Sequence, residues 1–152
     1  MGNEELNFQE AQDYLDSLQQ HKLKLGLEAM ENFLDKVERP DKKIRCVHVA
    51  GTNGKGSVSM NIVTMLARAG YKIGLFTSPH LSSVRERFRI NDQFISEKKF
   101  ACHATRVRRA LSDEKITYFE FTTALALLWF AESAVDLVVL ETGLGGRLDA
   151  TN

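Results

Sequence analysis

The chain has 152 residues, enough for one domain with a real core. Its 20 Lys and Arg balance its 20 Asp and Glu, which excludes a nucleic-acid binder working through a basic surface. A content of 43% hydrophobic and 26% charged residues excludes wholesale disorder, and the longest apolar run, Ala124 to Ala131, is too short to span a bilayer.

The predicted elements follow in chain order. Phe8, Ala11, Leu15 and Leu18 recur at helical spacing, with Asn7 as cap and Glu10 completing a capping box. Gln19 to Lys24 reads as a polar loop. Leu27, Met30, Phe33, Leu34 and Val37 form a second apolar stripe, and Pro40 is expected to stop that helix. Ile44 to Val49 reads as a strand and Gly51 to Ser57 as a glycine-rich loop. Val58, Ile62, Met65, Leu66 and Ala69 are expected to form the buried face of a helix ended by Gly70. Lys72 to Thr77 is a second strand, which makes a βαβ unit and implies a parallel pair.

Pro79 to Arg87 reads as irregular. Phe88 to Ile90 and Gln93 to Ile95 flank Asn91-Asp92 and suggest a small hairpin. Ser96 can cap a helix with the face Phe100, Ala104, Val107 and Leu111. Arg106, Arg108 and Arg109 fall on its wet side. Glu120 to Ala134 is a helix apolar nearly all round, hence buried. Asp136 to Glu141 is a third core strand, followed by the glycine-rich loop Gly143 to Gly146. The class is α/β: a mostly parallel sheet with helices on both faces, a phosphate loop and a small β-hairpin insertion. Cys46 and Cys102 read as reduced thiols of a cytoplasmic protein, and no signal peptide is visible at the N-terminus.

The sharpest chemical feature is Gly51-Thr52-Asn53-Gly54-Lys55-Gly56-Ser57, between a strand and a helix. Glycines let backbone N–H groups turn around an anion, and the following helix adds its free N–H groups and positive dipole end. Lys55 supplies an ammonium for the β- and γ-phosphates, and Ser57 a hydroxyl for a metal or phosphate. The spacing departs from the common phosphate-loop pattern, because Gly56 separates Lys55 from Ser57. Glu141 closes the third strand, where open α/β sheets bind ligands. Alone it would read as a solvated strand end; beside a phosphate loop it reads as a Mg²⁺ carboxylate. Ser78, in Thr77-Ser78-Pro79-His80, reaches the same sheet edge and can join the Mg²⁺ shell, or form only a Ser-Pro turn. Arg85-Glu86-Arg87-Phe88-Arg89 reads as a solvated hairpin edge, with an anion-binding strip as the alternative. His21, His48 and His103 have no partners at metal-ligand spacing and receive no role.

These residues resemble one family. His48-Val49-Ala50-Gly51-Thr52-Asn53-Gly54-Lys55-Gly56-Ser57 is similar to the phosphate loop of folylpolyglutamate and dihydrofolate synthases, within the Mur-ligase superfamily. Thr77-Ser78-Pro79-His80-Leu81 with Glu86-Arg87, Tyr118-Phe119-Glu120, and Leu140 through Asn152 match in the same order. The resemblance implies that Thr52, Asn53, Gly54, Lys55, Gly56 and Ser57 bind the ATP phosphates, with Lys55 the catalytic cation. It implies that Ser78 and Glu141 ligate Mg²⁺. It assigns Thr117, Tyr118, Phe119, Glu120, Leu148, Asp149 and Ala150 to the pterin or folate pocket, and more loosely Leu25-Gly26-Leu27. The implied reaction is ATP-dependent joining of L-glutamate to dihydropteroate or a folate through an acyl phosphate. No nucleic acid or membrane takes part.

The phosphate loop alone is shared with ligases of cell-wall peptide precursors and with nucleotide-binding modules that do no chemistry. Members of the resembling family are longer, with a further Mg²⁺-binding His, a carboxylated Lys and a second domain. The expectation is therefore that residues 1–152 are the N-terminal part of the Mur-ligase-type ATPase domain and do not ligate alone. The third strand is expected to leave an open sheet edge through which the chain self-associates.

Overall fold

The computed structural model describes residues 5–20, 27–112, 114 and 116–152. The expected loop beyond Gln20 and the expected pterin segment at Leu25-Gly26 lie outside the described residues.

Helix α1 spans Phe8–Ser17, with the Asn7–Glu10 capping box in place. A short 3-10 turn, Leu18–Gln20, follows it. Helix α2 spans Glu28–Lys36 and stops before Pro40, contrary to expectation. The reversal is made by Glu38 and Arg39, both at positive φ, and Pro40 instead opens a 3-10 turn. Strand β1 is Cys46–Val49, helix α3 Lys55–Arg68 and strand β2 Ile73–Phe76. Hairpin strands β3, Phe88–Ile90, and β4, Gln93–Phe94, lead to helix α4, Glu97–Leu111, capped by Ser96. Helix α5, Tyr118–Glu132, starts earlier than the apolar run suggests, because Thr117 and Glu120 form a capping box. Strand β5 is Leu137–Glu141.

The sheet has five strands in the order β1-β5-β2-β3-β4. β1, β5 and β2 are parallel; β3 and β4 continue antiparallel. Three expectations change here. The strands of the βαβ unit are parallel but not neighbours, because β5 lies between them. Its run Leu137-Val138-Val139-Leu140 is apolar on both faces, which suits the centre of a sheet covered on both sides. The open edge accordingly belongs to β1, not to the third core strand. The hairpin is no separate insertion, since β3 pairs with β2 through Gly74–Ile90, Leu75–Arg89 and Phe76–Phe88.

One face carries α5 with α4, α1 and α2 around a large core. α5 is buried from Glu120 to Phe130. Rings run in series from Phe8 to Phe100 (5.4 Å), Phe88 (5.7 Å), Phe76 (5.6 Å) and Phe119 (5.8 Å). Phe130 lies flat on Gly74, where an added Cβ would come within 2.8 Å of the ring.

The other face carries α3, whose Val63 packs on Val49, Ile73, Leu75 and Val139 of the strands. Of the expected stripe of α3, Ile62 and Leu66 pack against this core, but Val58, Met65 and Ala69 do not. Val58 and Met65 are 50% and 63% exposed, while Ser59 and Val63 are buried. The sheet-facing row is Gly56, Ser59, Val63 and Leu66, small near the loop because the helix begins close to the strand ends.

Candidate active site

The glycine-rich loop connects β1 to α3 at the carboxyl ends of the parallel strands. Gly54 stands at the helix cap with φ 75°, a conformation that costs glycine little and other residues more. No side chain caps the helix, and Val58 N–H makes the bond back to the Gly54 carbonyl. The N–H groups of Lys55, Gly56 and Ser57 therefore have no partner within the helix and stand at its positive end. Thr52, Asn53 and Ser57 are exposed. Lys55 Nζ donates to the Gly51 carbonyl at 2.9 Å, which folds the ammonium over the loop.

Glu141 ends β5 and is 5% exposed. Its Oε2 accepts the Ser78 N–H at 3.0 Å. Its Oε1 faces the start of α3, 3.6 Å from where a Cβ of Gly56 would stand. One carboxylate thus lies between the phosphate loop and the end of β2. A buried carboxylate beside a serine is hard-oxygen chemistry, which fits Mg²⁺. Ser78 and Glu141, the two residues that the resemblance assigns to Mg²⁺, are brought together here.

The next shell lies toward α5. Thr117 and Glu120 serve the helix cap: Thr117 N–H donates to Glu120 Oε2 at 2.7 Å, and Glu120 N–H to Thr117 Oγ1 at 3.2 Å. Tyr118 and Phe119 are partly exposed beside them. Phe119 closes against Gly143, where an added Cβ would meet the ring at 2.8 Å, so the α5 start and the 143–152 loop form one wall. Within that loop Leu148 is 47% exposed and Ala150 partly so, whereas Asp149 is buried. Asp149 Oδ2 accepts Gly143 N–H at 2.9 Å and Leu144 N–H at 2.8 Å, and Oδ1 accepts Thr151 N–H at 3.1 Å.

The stretch 85–89 is not a solvated edge. Arg87 is 8% exposed, sits 5.2 Å over the Tyr118 ring and donates from Nε to His80 Nδ1 at 2.9 Å. Burial, and then the Arg87 charge, pushes the His80 pKa down. Glu86 accepts the N–H groups of Leu81, Ser82 and Ser83, and these three bonds hold its carboxyl below the usual range. The loop after β2 is thereby fixed beside Ser78. Arg87 is a site-bordering residue that composition gives no reason to choose, and its one sequence signal is membership of the Glu86-Arg87 pair. No cluster of three or more His, Cys, Asp or Glu able to hold a metal is found among the described residues. No helix is long and apolar enough to cross a membrane among them.

No family model matches the chain, but curated relatives and solved structures do. The chain is 41% identical, over 95% of its length, to the dihydrofolate synthase/folylpolyglutamate synthase of Bacillus subtilis, of which it covers 35%. It superposes with a TM-score of 0.90 on Escherichia coli FolC in complex with DHPP and ADP, at 37% identity, covering 96% of this chain and 35% of that one. A bifunctional folylpolyglutamate synthase/dihydrofolate synthase with Mn, AMPPNP and L-glutamate bound gives 0.88 at 35% identity, covering 97% and 37%. The chain spans about a third of the length of these relatives.

Proposed function

The chain belongs to the folylpolyglutamate synthase/dihydrofolate synthase family, and from that premise we propose that it is the ATP-, Mg²⁺- and pterin-binding part of a ligase adding L-glutamate to dihydropteroate or a folate. The observation that carries this reading is the position of Glu141, between the start of α3 and the Ser78 amide. Residues 1–152 are the N-terminal part of the Mur-ligase-type ATPase domain in this reading, and ligation belongs to the longer polypeptide of the family. The relatives' complexes with ADP, AMPPNP, Mn, DHPP and L-glutamate support the same substrates. The two unpaired cysteines, one exposed, accord with a cytoplasmic setting.

The substrate carboxylate attacks the γ-phosphorus of ATP, and ADP leaves. The amine of L-glutamate then attacks the acyl phosphate carbon, and phosphate leaves as the amide forms. The protein must neutralise phosphoryl charge and hold the attacking oxygen in line. The N–H groups at the start of α3 bind phosphate oxygens. Lys55 exchanges its bond to the Gly51 carbonyl for a phosphoryl oxygen. A Mg²⁺ ion held at Ser78 and Glu141 supplies further charge neutralisation when bound. Phe119 and the 143–152 loop present a wall with exposed apolar and backbone groups for a flat ring.

Titration with dihydropteroate and with a UDP-linked muropeptide tests the assignment. Saturable binding of the pterin alone is expected. Binding of the muropeptide alone would transfer the chain to the cell-wall ligases, and Mg-ATP binding without either would mark a plain nucleotide-binding module.

A further inference from the structure

His48 is the histidine that the phosphate-loop reading leaves without a task. It lies on β1, the outer strand, with its side chain exposed and in register with Leu140. Its Nε2 stands 2.8 Å from Thr151 Oγ1. Thr151 is 8% exposed, and its hydroxyl donates to Asp149 Oδ1. A threonine hydroxyl has one proton, and that proton is spent on Asp149. The bond to His48 must therefore be donated by the imidazole Nε2–H, which fixes the neutral ring as the Nε2-protonated tautomer. Asp149 in turn accepts from the N–H groups of Gly143, Leu144 and Thr151. Gly143 closes against Phe119 at the start of α5.

We propose that His48 is a positioning residue: acting through Thr151 and Asp149, it sets the geometry of the 143–152 loop against Phe119. The relay runs from the free edge of the sheet to the far wall of the site. A buried carboxylate has several acceptor sites to fill, and the Thr151 hydroxyl that fills one of them is itself held by the bond it accepts from His48. His48 fixes it from outside the loop. Within the loop the Thr151 hydroxyl bonds Asp149, and His48 is its partner from the sheet. The proposal rests on the reading that this loop borders the pterin, but its structural half can be measured without any ligand.

Amide hydrogen exchange is measured at Gly143 and Leu144 in the chain and in His48→Phe, His48→Gln and Thr151→Val. Loss of one supporting bond should speed exchange at those two amides about tenfold in His48→Phe, with Val138 to Leu140 unchanged. His48→Gln, which keeps an N–H donor near Nε2, should restore protection. Thr151→Val breaks the same relay one step later and should match His48→Phe, so the test survives if either variant fails to fold. Dihydropteroate binding should weaken about tenfold in His48→Phe, while Mg-ATP binding stays within about twofold. Unchanged exchange at Gly143 and Leu144, equal loss along β5, or no rescue by glutamine would overturn the proposal. Absence of pterin binding by the unsubstituted chain would instead overturn the substrate reading, with the exchange data still deciding the relay.

Discussion

On the α5 side of the sheet, large apolar side chains do the holding: six phenylalanines are among the largest fully buried residues, and five of them, Phe76, Phe88, Phe100, Phe121 and Phe130, pack with α5, β2, β3 or α4. On the α3 side a handful of aliphatic residues suffices, and the helix row nearest the strand ends is Gly56 and Ser59. The difference separates two jobs. The α5 side stabilises the fold and keeps Phe119 in place through a chain of rings. The α3 side brings backbone N–H groups and a carboxylate close together, which bulky side chains would prevent.

Breaking the aromatic side should have the largest effect. Phe130 is fully buried against Gly74, so Phe130→Ala should cost about 3–5 kcal/mol in urea unfolding. A cost near that of a surface substitution would show that the ring is not a keystone.

Acid should act on the same side. His103 is buried between α4 and α5, with Glu132 3.7 Å from Nε2. Burial first, and then the charges of Arg106 and Lys99, lowers its pKa from 6.5 to about 4. The folded state therefore excludes a proton that the unfolded chain binds. Its contribution is complete above pH 6.5, falls between pH 6.5 and 4, and amounts to about 3 kcal/mol over that window. His103→Leu should flatten this part of the stability profile, and an unchanged slope would assign acid sensitivity elsewhere.

Overfilling should cost less. In Gly74→Ala the new methyl meets a fully buried ring at 2.8 Å, and about 1–3 kcal/mol should be lost. The smallest effect should come from the far side of α3. Met65→Gln, at a position 63% exposed, should shift stability by less than about 0.5 kcal/mol. A large loss there would mean that the helix buries that face after all.

The contrast also explains what could be read from the sequence. The α1 and α4 caps, the α4 face and the phosphate loop are local patterns, and the structure has each of them in place. The strand order is not local. Nothing near Leu137 announces that β5 slips between β1 and β2; only its two-sided apolar character hints at a central place. The α3 face was legible at Ile62 and Leu66 but not near the loop, where the buried positions include the small, polar Ser59 and hydrophobicity pointed to Val58 and Met65 instead. Arg87 was hidden because its burial depends on Tyr118 and His80, which meet it only after folding. Pro40 misled for a simpler reason: the chain had already turned at Glu38 and Arg39.

The central claim is that the α3 start, Ser78 and Glu141 form one Mg-nucleotide site. Calorimetric titration of ATP with Mg²⁺ and with EDTA, into the chain and into Glu141→Gln, tests it directly. Binding should be strengthened at least about tenfold by Mg²⁺ in the chain, and the substitution should abolish that gain while leaving metal-free binding nearly unchanged. An equal Mg²⁺ gain in Glu141→Gln would contradict the account.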